Sequence, residues 1–158
     1  MNQRTYPVAD GSQVTAVGYR LQLTLVDLID LTLQTQHLRW NLVGHDALRS
    51  QLDDFDALVR AGADEVAARM RSIGIAPDGR VSTAYQDLLF DPLPSGPIDP
   101  PQAIGTFTRR LAQFGARIRE SQDVLGQIDS ASAAILTSIS EEISNWTDEL
   151  TRPGSRST

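Results

Sequence analysis

Two carboxylates, Asp53 and Asp64, stand eleven positions apart in an apolar-striped segment whose pattern is typical of a helix. At about 100° per residue, they fall within about 60° of Arg49 and Arg60 on one edge of that helix. Carboxylate oxygens bind metal ions, whereas a guanidinium keeps its proton and cannot coordinate a cation. This edge therefore combines two metal-binding groups with two permanent positive charges.

The charged edge points away from the core of its own segment. The apolar stripe through Leu52, Val59 and Val66 is centred about 120° away from it. We therefore expect the charged edge to face either solvent or another subunit. An ordinary solvated face, with ion pairs between neighbouring turns, is the simpler alternative.

The two histidines of the chain could also bind a metal ion. His37 lies two positions before Arg39, about 200° around the helix, which predicts a structural role on a different face. His45 lies in a turn beside Gly44, at the start of the next helix, where it could reach a neighbouring site as an unusual ligand. A loop histidine without any metal is the alternative for His45.

Apolar residues recur at three- and four-residue steps in four long segments, which predicts four amphipathic helices. The predicted helices span about 13–42, 46–73, 100–126 and 130–152. Asp46 is the predicted N-cap of the second helix, and Asp99 is that of the third.

Residues 74–101 form a long connection rich in proline and glycine, in which 82–90 are predicted to make one short helix. Four helices with two short turns and one long crossover predict an all-α, ferritin-like four-helix bundle. We expect one domain over 1–158, with short flexible tails at about 1–12 and 152–158.

Composition argues against a tail that grasps DNA. The formal charge is −6, and all 14 basic residues are arginine. The N-terminal leader holds only Arg4, and the C-terminal tail holds Arg152 and Arg156, so we expect weak DNA binding or none. The chain has no cysteine, no run of about 20 apolar residues and no secretory signal. These absences predict a cytoplasmic protein without a membrane partner.

A resemblance to a known family rests on three features: the pair Trp40-Asn41, the run Ala63-Asp-Glu-Val-Ala-x-Arg69, and the short helix in the crossover. Together they resemble the Dps family of mini-ferritins over nearly the whole chain. The resemblance implies a hollow shell of twelve subunits that binds and stores iron and protects against oxidative stress. It also implies a di-iron ferroxidase centre between two subunits.

The resemblance places the family's ligands on this chain position by position. Its two aspartates match Asp53 and Asp64. Its two histidines fall on Arg39 and Arg49, and its glutamate falls on Ala68. The resemblance therefore implies a ferroxidase centre that lacks three of its usual ligands, and it leaves open whether the chain is an active oxidoreductase.

The charges at these positions cancel without a metal ion. Arg39 and Arg49 would oppose Asp53 and Asp64, since guanidinium groups pair well with carboxylates. We hypothesise a metal-free ion-pair cluster of these four residues at the subunit interface. Iron would then be bound elsewhere and not at the usual di-iron site.

Four acidic residues of the last helix resemble those that line the threefold pores of such shells: Glu141, Glu142, Asp148 and Glu149. A solvated acidic face is the alternative for each of them. The sequence thus favours a Dps-like shell for iron storage with a largely lost ferroxidase site. The alternative is a catalytically inactive structural subunit or paralogue, which assembles alone or with an active relative, or which associates with the nucleoid.

Overall fold

The computed structural model describes residues 11–86, 90 and 92–152, without the side chains of Tyr85 and Gln86. Its helices are α1 (Gly11–Asn41), α2 (Asp46–Ser72), α3 (Val81–Gln86), α4 (Pro100–Ile128) and α5 (Ser130–Thr151). The predicted flexible tails lie largely outside the described residues.

The four long helices form two hairpins that pack into one bundle. Residues 42–45 join α1 to α2, Asp129 alone joins α4 to α5, and the crossover 73–99 carries α3 between the hairpins. Helices α1 and α5 each pack against both α2 and α4. The predicted all-α bundle with a short helix in its crossover is confirmed.

Outside the helices, the described ranges contain one isolated parallel bridge, between Leu42 and Ile98, and no strand. None of the described helices is both long and apolar enough to cross a membrane.

An aromatic cluster joins three helices in the half of the bundle near the α1–α2 turn. The ring centroid of Phe55 lies 5.0 Å from that of Phe107 and 4.4 Å from that of Trp146. Such edge-on and tilted contacts add to the free energy of burying the rings. Because the rings come from α2, α4 and α5, the cluster packs one hairpin onto the other.

The turn between α1 and α2 has two successive residues in the left-handed backbone region, Gly44 with φ 66° and His45 with φ 61°. The Nδ1 atom of His45 accepts a hydrogen bond from the backbone N–H of Leu48 at 3.1 Å, which makes His45 the N-cap of α2. The prediction of Asp46 as this cap is wrong, because Asp46 is the first helical residue. The prediction of Asp99 as the cap of α4 is confirmed.

The crossover is tied to α1 near both of its own ends. The side chain of Gln22 exchanges two hydrogen bonds with the backbone of Asp78, at 2.8 and 3.0 Å. At the other end, the backbone of Ile98 donates to the carbonyl of Asn41 and accepts from the N–H of Val43. The bonds of Gln22 hold the start of the crossover against α1, and those of Ile98 hold the C-terminal end of α1 and the following turn in place.

Close packing at Gly18 generates the first prediction. A Cβ atom on Gly18 would overlap Cδ1 of Ile75, whereas a Cβ on Gly105 in α4 would meet no atom within 4 Å. We expect Gly105→Ala to stabilise the protein by about 0.5–1 kcal/mol, because alanine loses less backbone entropy than glycine in a helix. Gly18→Ala should lose that gain, because Ile75 must shift. Thermal unfolding at one protein concentration measures both.

Ile75→Val provides the control, because it removes the overlapping atom. In the Ile75→Val background, Gly18→Ala should stabilise about as much as Gly105→Ala does. Equal gains from the two glycine substitutions in the unchanged background would contradict the close contact.

Candidate functional site

An ion pair joins the C-terminal end of α1 to the charged edge of α2. The Nε atom of Arg39 lies 2.5 Å from Oδ1 of Asp53, and the two side chains are 30% and 51% exposed. The contact is electrostatic, because Nε makes no hydrogen bond in this geometry. An ion pair this exposed adds little to the stability of one subunit. Its more important effect is that the guanidinium neutralises the charge of the Asp53 carboxylate.

Arg49 is held by backbone carbonyls and not by a carboxylate. Its guanidinium donates from Nη1 to the carbonyl of Arg39 and from Nη2 to that of Leu42, the second bond at 3.0 Å. These carbonyls lie at the end of α1, where the helix leaves acceptors without intrahelical donors and carries partial negative charge. Arg49 therefore fixes a positive charge at the C-terminal end of α1.

Asp64 is exposed at the border of an open groove between α1 and α2, of about 410 Å³. The groove is lined by Ile29, Thr32, Leu33, Gln36, Arg60, Ala63 and Asp64. Arg60 pairs with Asp56 one turn earlier, at 2.8 Å. Within the described part of one subunit, Asp64 has neither an ion pair nor a hydrogen bond through its side chain. The groove therefore presents one unpaired carboxylate.

One subunit does not bring the predicted ligands together. No group of three or more histidine, aspartate or glutamate side chains able to hold a metal ion occurs among residues 11–86, 90 and 92–152, as far as their side chains are described. Ala68 is exposed and has no ligand atom, and Trp40 is 75% exposed at the end of α1. A metal site at this edge would require residues from a second subunit.

Both histidines bind to the backbone of their own chain. Because Nδ1 of His45 accepts from Leu48, the proton of a neutral His45 ring resides on Nε2. A metal ion at Nε2 would move that proton to Nδ1 and break the cap, so capping and coordination through Nε2 exclude each other. His37 places Nε2 at 2.9 Å from the carbonyl oxygen of Pro94, and so contacts the crossover.

The four predicted pore residues are all exposed on α5: Glu141, Glu142, Asp148 and Glu149. Asp148 also borders a groove between α4 and α5, together with Arg119. Whether they surround a pore depends on how copies of the chain assemble, so this assignment stays a prediction.

Arg69 has a structural role that the sequence did not reveal. Its Nη2 atom lies 3.0 and 2.9 Å from the two carboxylate oxygens of Asp129, and its Nε donates to the hydroxyl of Ser132. Asp129 also caps α5 through the backbone N–H of Ser132. Burial alone would raise the pKa of Asp129, but hydrogen bonds from Ser132 and Arg69 outweigh it and lower the pKa overall. The placement of Asp129 between two helical patterns was the one available signal.

The bundle, its helix-bearing crossover and the charged edge of α2 define the ferritin-like class. No protein-family model matches the chain. DNA protection during starvation protein 2 of Deinococcus radiodurans is 30% identical over 144 residues, which cover 90% of this chain and 60% of that protein. The DNA protection during starvation protein of Mycolicibacterium smegmatis is 32% identical over 93 residues, which cover 58% of this chain and 51% of that protein.

A crystal structure of a Dps from Deinococcus radiodurans is similar at a TM-score of 0.85 and 28% identity, over 88% of this chain and 86% of that one. The chain belongs to the Dps family, in agreement with the resemblance of its sequence.

The cap at His45 generates a second prediction. His45→Ala removes the acceptor for Leu48 and places alanine in a left-handed conformation, so we expect a loss of about 1–3 kcal/mol. His45→Asn keeps a capping oxygen and tolerates positive φ, so it should remain within about 0.5 kcal/mol of the parent. Urea unfolding distinguishes the two. Equal losses would show that the imidazole has a role other than capping.

A third prediction concerns acid stability. Because the folded-state pKa of Asp129 lies below its ordinary value near 3.8, its stabilising effect is complete above that pH and is lost as pH falls through the lowered pKa. Asp129→Asn can keep the cap but loses the charge that Arg69 binds. We expect it to cost about 1–3 kcal/mol at pH 7 and progressively less below pH 4.

The exposed Asp54 of α2 supplies the matched control. Asp54→Asn should change the unfolding midpoint little at either pH. A cost of Asp129→Asn that stays constant from pH 7 to pH 3 would contradict the charge-based account.

Proposed function

We propose that this chain is a mini-ferritin subunit that assembles into a hollow shell of twelve copies for iron storage and protection against oxidative stress, with its inter-subunit ferroxidase site largely lost. Membership of the Dps family supports the shell and the iron-storage role. The main observation that supports the loss of the ferroxidase site is the 2.5 Å ion pair between Arg39 and Asp53.

Arginine in place of histidine changes what Asp53 can do. A carboxylate beside a permanent cation is already neutralised, and an approaching metal ion would be repelled by the guanidinium. Arg49 adds a second fixed positive charge at the end of α1, and Ala68 supplies no ligand atom. Asp53 and Asp64 are the only carboxylates left at the family's ligand positions. The residues present therefore do not fit a di-iron centre.

The proposed interface cluster combines Arg39, Arg49 and Asp53 of one subunit with Asp64 of a second. The groove beside Asp64 and the partly exposed Leu33 give room and apolar surface for another copy. The four charges cancel across such an interface. Buried ion pairs need not add stability, so the cluster would specify how two subunits dock.

Iron is the cargo in this proposal. It enters through acidic pores lined by Glu141, Glu142, Asp148 and Glu149, which attract cations. It then mineralises on interior carboxylates, where each ferrous ion gives one electron to dissolved oxygen without a dedicated protein site. The shell resides in the cytoplasm, and its negative charge keeps DNA binding weak.

A rate assay of ferrous-iron oxidation with peroxide tests the loss of the site. We expect the assembled protein to oxidise iron no faster than buffer does, and Asp53→Asn with Asp64→Asn to change nothing. The combined variant Arg39→His, Arg49→His and Ala68→Glu should raise the rate at least about tenfold, because it restores neutral and anionic ligands. Rapid oxidation by the unchanged protein, abolished by the two aspartate substitutions, would defeat the proposal.

A structural shell subunit without iron storage is the second candidate. It is favoured by Arg39, Arg49 and Ala68, which stand where the resemblance places three of the family's five ligands. Assembled shells incubated with ferrous iron and air would separate the two by sedimentation and iron content. An iron core inside the shell supports storage, whereas shells that stay empty, or that load only when co-assembled with an active relative, support the structural role.

A further inference from the structure

Chain connections fix the alignment within each helical hairpin but not between the hairpins. Residues 42–45 hold α1 against α2, and Asp129 alone joins α4 to α5. The two hairpins are linked only by the crossover 73–99, which is long enough to allow other alignments. A slip of one helical turn, about 5.4 Å, would need to be prevented by contacts between the hairpins, which include the backbone bonds of Ile98 to the end of α1, the Arg69–Asp129 pair and further side chains along the helices.

A charged seam between α1 and α4 supplies such side chains. Its members, in the order of α1, are the pairs Arg20–Glu120, Asp27–Arg117 and Asp30–Arg110. The first two are ion pairs of 3.1 and 3.2 Å, and the charge of Arg110 acts on the carboxyl of Asp30. Residue numbers rise along α1 as they fall along α4, so the seam matches antiparallel helices at three levels.

Two of the three acidic residues of this seam, Asp27 and Asp30, are buried, whereas Glu120 is exposed. The Asp27 side chain is 3% exposed, and Asp30 and Arg110 are 7% and 6% exposed. Burial raises the pKa of Asp30, although a hydrogen bond from Gln34 and the charge of Arg110 oppose this effect. Burial therefore makes the charged form of Asp30 energetically costly, so this residue is weak evidence for a gain in stability.

In the other half of the bundle, the side chains between the hairpins specify the alignment less sharply. There the hairpins meet through the rings of Phe55, Phe107 and Trp146, and apolar contact is non-directional. The backbone bonds of Ile98 act in this half only at the end of α1. A one-turn slip would bring Asp27 opposite Gln113 or Ser121 in place of Arg117. The buried carboxylate of Asp27 would then lose its contact with the Arg117 cation, which strongly disfavours the slipped alignment.

We propose that the charged seam between α1 and α4 is an alignment code, which selects the one register in which the two hairpins dock. It acts by penalising slipped alignments more than it stabilises the native one. The code does not depend on the proposed iron-storage function, because none of its residues lies at the family's ligand positions.

Charge exchange tests the code in the full-length, assembled protein. Asp27→Arg or Arg117→Asp alone should lower the melting temperature by roughly 10 °C, because each leaves like charges buried together. The exchange variant with both substitutions should recover most of that loss. An exchange variant no more stable than the single variants would overturn the proposal.

An apolar replacement distinguishes alignment from stability. Asp27→Leu with Arg117→Leu should keep or raise the melting temperature, yet it should admit more than one register. Fluorine NMR of protein labelled with 5-fluorotryptophan reports this directly, because Trp146 lies in the cluster between hairpins whereas Trp40 is exposed at the end of α1. We expect more than one Trp146 signal and an unchanged Trp40 signal.

Arg80→Gln is the matched control, because Arg80 pairs with Asp78 inside the crossover and away from the seam. It should leave a single Trp146 signal. A single, unshifted Trp146 signal in the apolar variant would overturn the proposal, because apolar packing would then suffice to set the register. If the apolar variant does not fold, the exchange variant provides the test. A recovered melting temperature with a single Trp146 signal supports the alignment code, and a melting temperature that does not recover refutes it.

Discussion

A guanidinium that cannot lose its proton sets the chemistry at the edge of α2. Arg39 places this permanent charge 2.5 Å from Asp53, one of the two carboxylates that the family resemblance places at ligand positions. Histidine at the same place could be neutral and could bind a metal ion, whereas arginine can only compete with one. The proposed role of the other features of the site, including the groove beside Asp64, depends on arginine at this one position.

The α1–α2 turn shows how the fold holds that charge in position. Arg49 binds the carbonyls at the end of α1, and His45 caps the start of α2. From the other side, Ile98 binds the backbone of Asn41 and Val43. A second arginine and a histidine near the expected metal centre are thus both engaged in structural hydrogen bonds. The chain keeps the fold of the family, while Arg49 and His45 form hydrogen bonds with backbone groups.

The helices and the crossover could be predicted because apolar periodicity, prolines and glycines report directly on them. The cap at His45 could not, because an imidazole cap in a left-handed conformation has no common sequence pattern. The position of Arg49 on the charged edge could be predicted from a rotation of about 100° per residue. Its hydrogen bonds to backbone carbonyls and not to carboxylates could not be predicted, because they depend on the path of the α1–α2 turn. The burial of Asp27 and Asp30 could not be predicted, because a core is predicted from apolar positions and the partners of these residues lie far away in sequence. The interface cluster stays a prediction, since it involves two copies.

Anomalous X-ray scattering at the iron edge, from crystals of the assembled protein soaked anaerobically in ferrous iron, is the most direct test of the central claim. The account predicts no iron peak between Asp53 of one subunit and Asp64 of the next, with Arg39 still beside Asp53. An iron ion bound by both aspartates, with the Arg39 guanidinium turned away, would contradict it.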